Sequence, residues 1–306
     1  MFVLFSSKSS ITGKELASKL DCKSSDSFAE AEKHASSGEL VVGWGKSVSS
    51  TPKTNSQNFI NHPGLIHCIG NKFDALNIMN EKGVSVPDTI SLEAMAPKPH
   101  IALEKPLLAR AGTHSMGIGA VRCLYGRDIN FAKEVHGATH ATAYICSDRE
   151  YRIHVLDDKV VLAQKKVLNP NPKKSILMNA VHEIYEEEQE IKKWTEASDG
   201  KKNEFHGPIG VAKKIVKHVN CPDIHVRSHN RGWMFSTIDK APIGVKSMAR
   251  AAVKALGLHA GAVDLCIDYD GNIFVFEVNT APHLSGKTLD KWIVAIQKYA
   301  KAKGLK

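Results

Sequence analysis

The chain has no Cys-x-x-Cys pair. Its six cysteines stand far apart, at 22, 68, 123, 146, 221 and 266. That spacing suits neither a zinc site nor a dense disulfide framework, and it fits reduced thiols in a cytoplasm. No apolar run approaches the roughly 18 residues that a membrane span needs. The opening MFVLFSS turns polar too early for a signal peptide and reads as a first strand. Aromatic residues make up only 7%, which leaves few stacking platforms for single-stranded nucleic acid. The common phosphate signatures are missing too. Gly286-Lys287-Thr288 has Ala281 where a P-loop needs glycine, and Gly112, Gly117 and Gly119 do not form Gly-x-Gly-x-x-Gly. A serine or cysteine nucleophile elbow is equally absent.

What is present is a chain of 306 residues, long enough for two domains or one composite domain, with 42% hydrophobic residues to bury. Lysine and arginine outnumber acids 41 to 32, a net charge of +9. The excess favours anionic partners such as nucleotides, phosphorylated substrates or nucleic acid, and it fits a plain lysine-rich surface equally well. Residues 2–5 and 40–44 read as short buried strands, with helical stretches at 13–20 and 28–35 between them. This is the β-α-β opening of a small parallel-sheet domain. The Ser-, Thr- and Lys-rich stretch 45–57 reads as a loop whose Lys46 and Lys53 could meet an anion. A helix through Phe73, Leu76 and Met79 stops at Lys82-Gly83, and a Val-Pro turn leads into a strand. Residues 106–124 read as strand, glycine-bearing loop, strand. Glycines let such a loop bring backbone N–H groups to a phosphate.

Two β-runs flank Asp157-Asp158. Alternation puts Tyr151, Ile153 and Val155 on one face and Arg152, His154 and Leu156 on the other. The forked guanidinium of Arg152 is a candidate clamp for phosphate or carboxylate. Residues 169–220 change character, from turn-rich NPNPKK to a charged helix and a loop, as expected of a solvated insertion. Arg227, His229, Asn230 and Arg231 then cluster as an anion site or a polar loop. Residues 242–257 form an amphipathic helix closed by Gly257. A basic helix over 287–306 turns Leu289, Trp292, Ile293 and Ile296 inward.

The densest chemistry lies at 258–286. Two strand-like runs flank Asp270-Gly271, a strong hairpin signal. A two-residue turn there pairs Tyr269 with Asn272 and sets Asp264 opposite Glu277. One face then carries Val263, Leu265, Ile267, Phe274, Phe276 and Val278; the other carries Asp264, Asp268, Glu277 and Asn279. Opposed carboxylates repel unless a cation lies between them. With the amide oxygen of Asn279 alongside, Asp264 and Glu277 make a hard-oxygen site suited to Mg²⁺ or Mn²⁺. A hairpin with one solvated polar face is the plainer reading.

Taken in order, these pieces resemble the ATP-grasp superfamily over nearly the whole chain. Asn71-Lys72-Phe73 followed by GVSVPDT is similar to the opening of the family's ATP-binding region, and GTHSMGIG to its flexible glycine loop. VFEVNTAP, with Asp264 thirteen residues before Glu277, is similar to its Mg²⁺ triad. The stretch holding Arg227 and Asn230 resembles a polar catalytic loop of the family's glutamate ligases. Trp44-Gly45, LLAR…H…GIG and RSHNRGW look most like bacteriophage-encoded members.

The resemblance implies an α/β (α+β) ATP-grasp fold, with an N-terminal α/β domain over 1–68, a central subdomain over 69–146 and a C-terminal subdomain over 147–306. It implies ATP-dependent carboxylate–amine ligation through an acylphosphate, releasing ADP and phosphate, in a cytoplasm that is the host's if the chain is phage-encoded. ATP and Mg²⁺ (or Mn²⁺) are the implied cofactors. Small-molecule or peptide carboxylates and amines are the implied substrates, with no membrane partner. By the same resemblance, Lys72 and Arg110 contact phosphate, and Thr113, His114, Ser115 and Gly117 cover it. Tyr144 and Ile145 line the nucleotide hinge. Asp264, Glu277 and Asn279 hold the metal, and Arg152, Arg227 and Asn230 act on the reacting groups. Two positions depart from the family's pattern. Arg110 stands where lysine is usual, and Ala143 stands where an acid precedes the hinge pair, which leaves adenine to backbone groups or to a neighbour such as Glu104.

Two other functions compete with ligation. One is an ATP-grasp-type kinase or phosphotransferase. The other is a basic nucleic-acid-binding protein that keeps the fold without catalysis, which steeply salt-dependent DNA binding would reveal.

Overall fold

The computed structural model describes residues 1–7, 10–49, 57–93, 95, 97–98, 101–111, 120–147, 149–169 and 233–305. The first sheet is parallel. It is built from β1 (Phe2–Phe5), β2 (Lys23–Ser25), β3 (Val41–Trp44) and β4 (Phe59–Ile60) in the order β2-β1-β3-β4. Helices α1 (Ile11–Lys19) and α2 (Phe28–Ser36) cross between the first strands. Both faces of β1 are covered, which is why FVLF is apolar throughout instead of alternating. Phe2 and Leu4 pack with α2, while Val3 and Phe5 pack with α1. The expected strands and helices of this region are present. The short β2 and β4 join them, and neither was expected from the sequence.

After α3 (Pro63–Cys68) and α4 (Lys72–Glu81) comes an antiparallel sheet. Its strands are β5 (Thr89–Ser91), β6 (Ala102–Arg110), β7 (Val121–Tyr125) and β8 (His140–Ala143), ordered β5-β8-β6-β7. Helix α5 (Gly126–His136) covers one face, setting Ile129, Phe131 and Ala132 against Leu107, Ala109, Val121 and Ala141.

The largest sheet has the order β11-β10-β9-β12-β13. It holds β9 (Arg149–Leu156), β10 (Lys159–Leu168), β11 (Trp233–Ile238), β12 (Ala260–Ile267) and β13 (Ile273–Asn279). Its apolar face carries Tyr151, Ile153, Val155, Val263 and Leu265. That face lies under α6 (Ile243–Ala255) and under Leu76 and Met79 of α4. Helix α7 (Gly286–Lys303) packs Leu289, Trp292, Ile293 and Ile296 against Leu156 and Ala260 of this sheet and against the first sheet. Helices α4, α6 and α7 fall where the apolar spacing put them.

The β12–β13 hairpin corrects the expected register at its tip. Asp264 does pair with Glu277 and Val263 with Val278, but nearer the turn Ile267 pairs with Ile273 and Leu265 with Val275. The turn is one residue longer than two, because Asp268 organises it. Its carboxylate accepts from the amides of Asp270 at 3.0 Å and Asn272 at 2.7 Å, and from the Asn272 side chain at 3.0 Å. A bulge at Phe276 restores the register. Ile273 and Val275 therefore join the apolar face in place of Phe274 and Phe276, and Phe274 pairs with Cys266. Asp268 serves the turn and is not part of the acid row.

Among the described residues no helix is long and apolar enough to cross a membrane. The five described cysteines are free thiols.

Candidate active site

The central sheet buries one face under α5 and the large sheet one face under α4 and α6, while α7 covers one end of the large sheet's other face and leaves the rest of it polar. On the large sheet, strand pairing places Gln164, Arg152, Asp264 and Glu277 in one row across β10, β9, β12 and β13. Directly paired residues share a face. Asn279 lies on the same face, opposite Ala262. The facing of Asp264 and Glu277 was legible in the sequence. The third strand, which brings Arg152 against Asp264, was not.

Arg152 grips Asp264 with both prongs, Nε to Oδ1 at 2.6 Å and Nη2 to Oδ2 at 2.6 Å. Its guanidinium also lies over the Phe235 ring, 4.1 Å from the centroid. Burial works to lower the Arg152 pKa. The charge and hydrogen bonds of Asp264 more than offset it and hold the group above the ordinary arginine value. Glu277 has its own cation, with Lys72 Nζ donating to Oε2 at 2.5 Å. Lys72 opens α4, where Asn71 caps the helix by accepting from the Phe73 amide at 2.9 Å. Since Leu76 and Met79 bind α4 to the large sheet, Lys72 is anchored to the sheet whose acid it meets.

The central sheet supplies the opposite wall. Arg110 pairs with His140 across β6 and β8, and Leu108 pairs with Thr142. Arg110 Nη2 donates to Thr142 Oγ1 at 3.4 Å. Burial pushes the Arg110 pKa down and the Glu277 charge pulls it back, which puts Arg110 within electrostatic reach of the acid row. At the end of β8, Tyr144 and Ile145 are half-buried. The Tyr144 amide is committed to the Pro106 carbonyl at 2.9 Å, and Glu104 is exposed. Lys72, Arg110, Arg152, Asp264 and Glu277 thus form one electrostatic cluster. Thr113, His114, Ser115, Gly117, Arg227 and Asn230, and the expected insertion beyond Asn169, lie outside the described residues.

Sequence reasoning missed His140, Gln164 and Phe235. Each joins the site only through cross-strand pairing, which no periodicity within one strand reports.

No family model matches the sequence, and no curated protein matches it significantly. Solved structures do match the fold. One is a D-alanine–D-alanine ligase from Bacillus anthracis complexed with ATP, at 15% identity and TM-score 0.55, with 99% of this chain and 91% of that chain covered. Another is the ATP-grasp ligase PsnB complexed with minimal precursor, Mg and ADP, at 12% identity and TM-score 0.56, with 97% of this chain and 96% of that chain covered. The chain has the ATP-grasp fold. At these identities the likeness to ATP-grasp ligases is one of fold, and the substrates named belong to those proteins.

The donor set fits a hard divalent ion. Two carboxylates face each other and an amide oxygen stands beside them; both acids are ion-paired here, Asp264 through both oxygens to Arg152 and Glu277 through Oε2 to Lys72, so a metal would share or displace these contacts. Among the described residues no group of three or more His, Cys, Asp or Glu could hold a metal ion. Asn279 Oδ1 accepts from the Ala281 amide at 2.9 Å, which orients it and leaves it a second lone pair.

Proposed function

We propose that the chain is an ATP-dependent carboxylate–amine ligase that forms an amide or peptide bond through an acylphosphate. The supporting observation is the cluster itself: Lys72, Arg110 and Arg152 converge on two opposed acids within a fold shared with ligases. A polyphosphate brings about four negative charges, and catalysis of its transfer is chiefly alignment and neutralisation.

A divalent ion held by Asp264, Glu277 and Asn279 would supply positive charge to offset the negative charge of the polyphosphate. Lys72 and Arg110 bind oxygens of the α- and β-phosphates. Arg152, its fork engaged by Asp264 and its plane set over Phe235, meets charge on the transferred phosphoryl group through its remaining Nη1. Thr113, His114, Ser115 and Gly117 close over the phosphates, while Arg227 and Asn230 meet the reacting groups. Tyr144 and Ile145 face the base. With its amide engaged by Pro106, Tyr144 offers a carbonyl or a ring. A substrate carboxylate attacks the γ-phosphorus and ADP departs. An amine then attacks the acyl carbon and phosphate leaves. In this scheme 1–68, 69–146 and 147–306 act as three units, with acceptor specificity drawn from the first.

The test is a screen for ADP release with Mg²⁺-ATP against amino acids, polyamines and peptides, followed by mass spectrometry of the product. Free phosphate and a condensed product support ligation. A phosphorylated acceptor with no condensation would make the enzyme a phosphotransferase instead.

A further inference from the structure

Beside the acid row lies a histidine that the proposed mechanism does not use. His140 is 1% exposed and its Nε2 is buried without a hydrogen-bond partner among the described residues. Its Nδ1 lies 3.4 Å from Thr139 Oγ1. Arg110, its partner across β6–β8, has a buried Nε in the same condition. The two side chains emerge from one face, because they are directly paired. The Phe73 ring, next to Lys72, stands 5.8 Å from the imidazole at 49° and fixes its plane.

Buried polar atoms are nearly always partnered, and an unpartnered one is costly. Here two adjacent residues leave one each, on the wall that faces Lys72 and Glu277. Burial, reinforced by the cations Arg110 and Lys72, holds the imidazole neutral, at a pKa of about 4. A neutral imidazole bears one N–H, and when the Thr139 hydroxyl donates to Nδ1 that proton sits on Nε2. A donor among cations, lacking an acceptor, is matched by an anionic oxygen.

We infer that His140 is a ligand-contacting residue, donating its Nε2–H together with Arg110 to a phosphate oxygen of the nucleotide. The inference rests on the nucleotide-binding reading above and adds a contact to it. His140 supplies direction without charge. A third cation here would raise repulsion with Arg110 and Lys72, whereas a neutral donor strengthens phosphate binding without it.

The experiment uses the full chain with Mg²⁺. Histidine ¹⁵N NMR of the wild type follows the His140 nitrogens during titration with ADP, tripolyphosphate and adenosine. Calorimetry gives the Kd of ADP for the wild type and for His140→Phe, which keeps a ring beside Phe73. We expect ADP and tripolyphosphate to move the Nε2 resonance and adenosine to leave it unmoved. We also expect His140→Phe to weaken ADP about tenfold, the loss of one hydrogen bond to a charged group, with its melting temperature unchanged or raised. An Nε2 resonance indifferent to saturating ADP overturns the inference, as does wild-type ADP affinity in His140→Phe. Either result leaves nucleotide binding itself intact. A wild type that binds neither ADP nor ATP removes the underlying reading and this contact with it.

Discussion

Trp292 donates its indole N–H to His154 Nδ1 at 2.9 Å. An indole can only donate, so Nδ1 is the bare nitrogen and the proton sits on Nε2, which donates to Gln164 Oε1 at 3.1 Å. Gln164 is the cross-strand partner of Arg152. Helix α7 therefore reaches the row of site residues through a chain of buried side chains in a single tautomer. Trp292→Phe keeps much of the apolar volume but leaves Nδ1 buried and unmet. It should lower unfolding free energy by about 2–3 kcal/mol, combining lost volume with the stranded acceptor. Urea denaturation measures this, and a variant as stable as the wild type would show that the bond contributes nothing.

The same histidine gives the protein an acid limit. Burial, reinforced by Arg152 and opposed by the Gln164 bond, pushes His154 down to about 4, from an ordinary value of 6.5. As pH falls, the unfolded chain takes up this proton first. Stability from the neutral imidazole is thus complete above the unfolded value and drains away as pH drops toward the folded one. By pH 5 the loss should be about 2 kcal/mol. His140 acts in the same direction. Chemical denaturation between about pH 8 and pH 4.5 should show a shallower acid limb for His154→Gln than for the wild type. Parallel limbs would mean that His154 already titrates in the fold.

Helix periodicity and strand alternation carried far here because each face is buried against one named partner. Val245, Ala249, Ala252 and Val253 of α6 form a stripe because α6 covers the large sheet, and the alternation that sets Arg152 and His154 apart from Tyr151, Ile153 and Val155 reflects that sheet's opposite face, where Arg152 meets Asp264 and His154 meets Trp292 of α7. The β12–β13 pairing was legible at Asp264 and Glu277 but wrong near the turn. There Asp268 lengthens the loop through its own hydrogen bonds, a local capping choice that hydrophobic pattern does not record. Helix α5 went unread. Its start depends on Asp128, which accepts from the Leu124 and Tyr125 amides at 2.7 and 2.9 Å, more than on a long apolar stripe. The order of strands across sheets lay beyond any single segment, and with it the contacts of Arg152 with Asp264 and of Arg110 with His140.

Asn61 bolts the first sheet to the start of β12. It is 1% exposed, with a backbone φ of 59°. Its Oδ1 accepts from the His259 and Ala260 amides, each at 3.0 Å, and its Nδ2 donates to the Ala260 carbonyl at 2.8 Å. Asparagine tolerates the left-handed backbone and supplies both donor and acceptor. The residue needs room as well. A Cβ on Gly43 would lie 2.1 Å from the Asn61 carbonyl oxygen. Asn61→Ala should cost about 2–4 kcal/mol through buried amides and a carbonyl left unpaired. Asn61→Gly relieves the backbone but loses the same bonds, so it should recover only about 1 kcal/mol of that. If glycine restored full stability, backbone strain and not hydrogen bonding would be the reason for asparagine.

Glu277 and Asp264 look alike in sequence, and their surroundings predict different responses to loss of charge. Glu277 shares one contact with Lys72, and both side chains are more than a quarter exposed, at 28% and 27%. Water screens such a pair, so Glu277→Gln should change stability by about 1 kcal/mol or less. Asp264 takes both prongs of Arg152, at side-chain exposures of 17% and 19%, and Asp264→Asn leaves that fork half met. Its cost should be larger, about 1–3 kcal/mol. Glu277→Gln is therefore the cleaner probe of function. With fold retained, loss of one metal carboxylate should slow ADP release with the true substrates by about 10²–10⁴. Wild-type turnover in a folded Glu277→Gln would place the metal elsewhere and reduce the Lys72–Glu277 pair to a surface ion pair.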